Sequence, residues 1–175
     1  MRRSTRHGTR CGTTRERGIA LPVVLLIVSM MLVTSAASFE SSLFEARNAA
    51  AVLDQLQSFH AADGALTLCS RALIDGALTA PLSAAQTGEP QQWRRQDTFE
   101  AFATTPLSTW PGSLRPPQCL VEAWRIETRP SARAFLVTAR GFGAAQDAQS
   151  WLQMQIVIDN TRVERHWRRI VARPF

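Results

Sequence analysis

The chain contains no lysine and no tyrosine, and all 20 of its basic residues are arginine. Nothing in the sequence explains that bias physically. Histidine is nearly as scarce, with His7, His60 and His166 the three examples in 175 residues. Apart from Asp63, three positions on, no His, Cys or acidic residue stands at a metal-ligand spacing from His60, and neither His60 nor His166 sits in a catalytic motif. No Ser/His/Asp, Cys/His or paired-carboxylate arrangement is readable, so the sequence argues against an enzyme and calls for no cofactor and no metal. No acidic calcium loop is evident. Gly141-x-Gly143 lacks the third glycine and the following helix that a dinucleotide site needs, and it reads as a turn. Cysteine is limited to Cys11, Cys69 and Cys119.

Charge is absent where it matters most. From Ile19 to Phe39 no side chain is ionisable, a run of 21 residues. As a helix this run measures about 31 Å at ~1.5 Å per residue, enough to cross a hydrocarbon core of ~30 Å. A basic segment, 1–18, precedes it. The formal charge of +6 would suggest a nucleic-acid binder, but six arginines against Glu16 give residues 1–18 a net +5, and 19–175 carry about +1. A nearly neutral domain has no global electrostatic reason to bind nucleic acid. Arginine-rich flanks stay cytoplasmic, which puts the C-terminal part across the membrane.

The order of basic leader, Arg17-Gly18 and apolar helix resembles the N-terminus of type IV prepilins. The resemblance implies that a prepilin peptidase cuts between Gly18 and Ile19 and that Ile19 is then N-methylated. It implies a single-pass protein of the bacterial inner membrane, N-terminus cytoplasmic and C-terminal domain periplasmic, that later enters a pilus. The rival reading is an ordinary secretory signal, cut after Thr34-Ser35-Ala36 and releasing a periplasmic binding or adhesive domain. Against it, the apolar run meets its basic flank at Gly18 with no spacer, and the helical pattern continues beyond the cut.

The organisation expected is a leader over 1–18, a membrane or fibre-core half-helix over 19–39, a periplasmic half-helix over 40–73, a connecting variable region over 74–118 and a sheet over 119–175. Residues 40–73 are alanine-rich and free of proline, which favours helix. Ala49, Val52, Leu56, Phe59 and Leu66 share one face, and Gly64 is a candidate bend. Prolines and glycines break up 74–118. One helix is expected over 91–103, with Trp93, Phe99 and Phe102 partly buried. Trp93 and Trp110 either pin this loop to the core or contact a neighbouring subunit. Four strands are expected near 119–127, 134–141, 150–159 and 163–172, with a turn at Asp159-Asn160-Thr161. The fold class is α+β: a long helix against a small antiparallel sheet. The arginines of 162–173 with His166 and Trp167 form either a solvated strand face opposite Glu122, Glu127 and Glu164 or a strip for single strands, and the first reading is preferred. Cys69 and Cys119 are an even pair in an oxidising compartment. They form either a disulfide closing a loop of about 50 residues, worth ~4 kcal/mol on the chain-entropy model, or two buried thiols.

Further segments sharpen the resemblance. Phe59-His60-Ala61-Ala62-Asp63-Gly64-Ala65-Leu66 resembles the Phe-x-Ala-Ala-Glu-x-Ala-Leu segment of PilX-type minor pilins, with Asp63 in place of Glu and His60 in place of Gln. The segments 117–122 and 135–143 resemble their Pro-x-Cys/Tyr-x-Ile-Glu and Tyr-Arg-Ile-Thr-Ala-Arg-Gly-x-Gly strands. In major pilins the fifth mature residue is a glutamate that neutralises a neighbour's N-terminal ammonium, a buried charge that needs a partner. Here that position is Val23. The resemblance therefore implies a low-copy tip or priming subunit that promotes pilus assembly. Its partners would be other minor pilins, the major pilin, the prepilin peptidase and the inner-membrane assembly platform. A type II secretion minor pseudopilin is the alternative in the same class, although such tip subunits carry a large inserted domain and 157 residues leave little room for one.

Overall fold

The computed structural model describes residues 20–80 and 82–175. Helix α1 runs Ala20–Ile74. Strand β1 is Leu82–Thr87, a 3-10 turn covers Gln92–Arg94, and α2 is Gln96–Phe102. Strands β2 (Gln118–Arg125), β3 (Arg133–Phe142), β4 (Gln149–Asp159) and β5 (Arg162–Ile170) follow. The chain divides into two compact units, one ending at Arg47 and the other comprising Asn48–Phe175.

In the first unit every described residue is exposed helix. Pro22 lies in the first turn, where an N–H would lack an intrahelical acceptor anyway. In the second unit the helix ends on a Schellman motif. Gly76 takes φ +75, its N–H donates to the Leu73 carbonyl at 3.2 Å, and Ala77 N–H donates to the Ala72 carbonyl at 2.8 Å. A glycine is suited to this left-handed stop.

The five strands form one sheet in chain order. β2 to β5 are an antiparallel meander, and the β4–β5 hairpin turns on Asn160 at φ 52, a conformation that asparagine tolerates. β1 adds a strand parallel to β2, which the sequence reading did not include. A proline-punctuated stretch without alternation gives no strand signal, and pairing with β2 supplies the order.

One sheet face packs on α1. Its core joins Ala62, Ala65, Leu66, Cys69 and Leu73 to Val121, Val137, Ala139, Leu152 and Ile156. Burying a leucine here contributes roughly 1.5–3 kcal/mol. The expected helix stripe holds at Phe59 and Leu66, which meet the core, and needs correction before them. Ala49, Val52 and Leu56 are exposed, while the buried face comprises Ser58, Ala61, Ala62, Ala65, Leu66, Cys69, Ser70 and Leu73. The reason is close approach: a Cβ on Gly141 would lie 2.9 Å from the Ala62 Cα and would clash harder still with the Ser58 carbonyl. Only small side chains fit between helix and strand backbones at that separation. Gly141 is thus a strand residue under the helix and not a turn residue. Gly64 lies within continuous helix, and a Cβ there would meet the Trp110 ring at 2.8 Å. Its role is to seat that ring.

The other sheet face is covered too. Trp93 and Phe99, from the segment that links β1 to β2, pack on Leu120, Leu136 and Trp151, with Ile170 and Phe175 alongside. Trp93 is buried and so pins the segment to the core. Phe102 points out, 44 % exposed, because α2 is two turns long and Phe99 takes its inward position.

Candidate assembly helix and the polar face of the sheet

From Ala20 to Phe39 the helix of the first unit carries no charge, and Glu40, Glu45 and Arg47 follow. Leu21, Val24, Leu25, Leu26, Met30, Met31, Leu32 and Val33 are all exposed. The hydroxyls embedded in the run are satisfied within the helix. Ser29 donates to the Leu26 carbonyl at 2.8 Å, Ser35 to Met31 at 2.7 Å and Ser38 to Thr34 at 2.9 Å. Thr34 donates at 3.0 Å to the carbonyl of Met30. A helix that answers its own polar groups presents only apolar atoms to hydrocarbon or to another helix. Among the described residues this is the one helix long and apolar enough to cross a membrane. Val23 sits in it, 47 % exposed. Gly18 and Ile19, where processing was expected, lie outside the described residues.

In the second unit Cys69 of α1 and Cys119 of β2 are joined as a disulfide, with Cα atoms 6.6 Å apart. The bond spans the helix–sheet seam. Asp54 makes a second link. Its carboxylate accepts from the backbone N–H groups of Ala144 and Ala145, the latter at 2.9 Å. A Cβ on Gly143 would collide with the same carboxylate. Both glycines of Gly141-x-Gly143 therefore serve contact with α1, and the nucleotide-loop reading stays rejected on geometry as well as on spacing.

The far face holds buried polar groups. Gln153 donates to Thr138 at 2.9 Å, and Arg168 donates to Gln153 at 2.8 Å and pairs with Glu89. Glu122 is buried and accepts from the Gln92 N–H at 2.9 Å, while its second carboxylate oxygen has no partner among the described residues. Burial raises its pKa to about 7; the backbone donors of Gln92 and Trp93 oppose that shift and the charge of Glu89 adds to it. Glu122 is thus not part of a solvated face opposite the arginines, a correction to the sequence reading. The C-terminal arginines are mostly engaged. Arg162 pairs with Glu164 at 3.5 Å, Arg173 donates to the Asp147 carbonyl, and Arg169 lies over the Phe59 ring at 5.9 Å. A strip occupied in this way is poorly suited to phosphates. Among the described residues no group of three or more His, Cys, Asp or Glu is placed to hold a metal ion.

An exposed apolar helix running on into a helix packed against an antiparallel sheet is an α+β, pilin-like arrangement. Over 82 residues the chain is 42 % identical to type II secretion system protein K of Klebsiella pneumoniae, a match covering 47 % of this chain and 24 % of that protein. The chain thus spans about a quarter of the length of the curated relative it matches. No protein-family model matches the chain, and no solved structure matches it.

Proposed function

We propose that the chain is a minor pilin-like subunit, a low-copy component at the tip of a membrane-anchored fibre, where it promotes assembly. The observation that carries this reading is the exposed, charge-free stretch of helix over 20–39, with valine at position 23. A helix with a large unpartnered apolar surface belongs in a bilayer or among other such helices. Without a carboxylate at position 23 it cannot neutralise the N-terminal amine of the subunit it would otherwise follow, which suits a terminal place in the fibre. Cutting between Gly18 and Ile19 and N-methylation of Ile19 complete the proposal, with the prepilin peptidase, the assembly platform, other minor pilins and the major pilin as partners. The site needs no catalytic group, and the proposed role is structural.

Two machines use such subunits. The leader, the 59–66 segment and the strand motifs favour a type IV pilus. The similarity to type II secretion system protein K favours a secretion pseudopilin. Deleting the gene and restoring it with the wild type or with Val23→Glu tests both. Loss of surface pili with normal protein export indicates the pilus, and loss of export with normal pili indicates the secretion machine. Val23→Glu should reduce complementation and shift the subunit from the tip into the shaft. Normal piliation and export in the deletion strain would contradict the proposal.

A further inference from the structure

Arg140 is a buried arginine with little to bond. It is 7 % exposed, on the sheet face away from α1. Its guanidinium is ringed by aromatic groups: Phe142 at 4.6 Å, Trp151 at 5.2 Å and Phe175 at 5.3 Å from the respective centroids. Among the described residues its guanidinium makes one hydrogen bond, from Nε to Gln149 Oε1 at 3.2 Å. A guanidinium has five N–H donors in a planar fork, so most of its capacity is unused.

Those donors border a cavity of about 150 Å³, which Arg115, Glu100, Gln96 and Gln149 also line. Arg115 lies 5.8 Å from the centroid of the same Phe142 ring. Burial, together with repulsion from Arg115 and Arg173, works against the charge on Arg140, and Glu100 is the acid that favours it. Glu100 also accepts from Gln96 at 3.0 Å. Arg140 and Arg115 thus line the cavity with Glu100 as the one carboxylate among its lining residues, and the buried Arg140 charge has room there for a further anion.

We propose that this cavity is a carboxylate-binding pocket, in which the Arg140 fork takes the two oxygens and Arg115 closes the rim. A planar guanidinium held between aromatic faces is pre-oriented for bidentate pairing with a carboxylate. With Glu100 already present, a monoanion balances the site better than a phosphate dianion. The volume fits a carboxylate carried by a small free acid or by an Asp or Glu side chain of another protein. The proposal stands apart from the pilin-like reading, because the pocket lies wholly within the second unit.

The test uses the full chain in detergent. Sodium acetate is titrated against sodium chloride at constant ionic strength, followed by tryptophan fluorescence, since Trp151 stacks on the guanidinium, and by the thermal midpoint. The expected result is a saturable change with acetate and none with chloride. Arg115→Ala, at an exposed position, keeps the fold and should weaken the response about fivefold, which corresponds to ~1 kcal/mol. Arg140→Lys keeps the charge, loses the fork and should abolish it. A blocked tetrapeptide containing one glutamate, titrated in parallel, separates the sources: tighter binding than acetate assigns the pocket to a protein side chain, and equal or weaker binding assigns it to a free acid. No saturable response in the folded wild type, or equal responses in wild type and both variants, would overturn the proposal.

Discussion

The two parts of α1 follow opposite rules. Over 20–39 the helix carries mostly large aliphatic side chains, all exposed; from Ser58 onwards its buried face carries alanine, serine, one cysteine and two leucines. Hydrophobicity alone would assign the core to the first part. The difference is one of partner distance. The second part lies against strand backbone at Gly141, where only small side chains fit. The first part is exposed throughout its described residues, so large aliphatic groups are what it can offer to lipid or to other helices. One helix thus combines a buried structural surface with an exposed apolar one.

The largest expected effect breaks the buried surface. Gly141→Val would drive a side chain into the Ser58 carbonyl and the Ala62 backbone. Backbone cannot yield as a flexible side chain does, so destabilisation above about 3 kcal/mol is expected, read as loss of cooperative unfolding in a denaturant titration. Normal unfolding would mean that helix and sheet are farther apart than described. Next, Cys69→Ala with Cys119→Ala should cost about 2–4 kcal/mol, measured as a lower denaturation midpoint. The same measurement on reduced and oxidised wild type should show the same gap.

Leu26→Arg addresses the other part of the helix. A central arginine costs about 2.5–3.5 kcal/mol of membrane insertion. The thermal midpoint of the second unit should stay within about 1 °C, because Leu26 belongs to the first, while recovery in the membrane fraction falls. A change in the midpoint with unchanged membrane recovery would reverse the assignment of the two surfaces.

The smallest effect is a pH dependence. The folded pKa of Glu122 is raised to about 7 from an ordinary 4.5. The folded state therefore binds the proton more tightly, and stability falls as pH rises from about 4.5 to about 7, then levels off. Glu122→Gln should flatten that slope and raise the midpoint at pH 8. A wild-type stability that rises over this window would contradict the burial of an uncompensated carboxylate.

Much of this was legible before the structure. The β4–β5 turn, the four antiparallel strands and the helix past residue 70 follow from periodicity and turn residues. The buried stripe of α1 did not, because scanning for large apolar residues finds Val52 and Leu56 and passes over alanines whose burial is set by a glycine some 80 positions away. Glu122 was misjudged for a related reason. Alternation places it on the face away from α1, and the sequence does not say that Trp93 and Phe99 cover that face. Asp54 left no signal, because it caps a turn from a distant helix, and Arg140 stood in the 135–143 motif with nothing to mark its surroundings, which depend on rings contributed by three separate segments.

If the exposed helix is processed for assembly, as proposed, the mass of the mature N-terminus in the membrane fraction will show a first residue of Ile19 carrying one N-methyl group. A chain beginning at Ala37 would make this a secreted domain without its apolar helix, and a chain still beginning at Met1 would make it a plain anchored protein; either would contradict the assembly role.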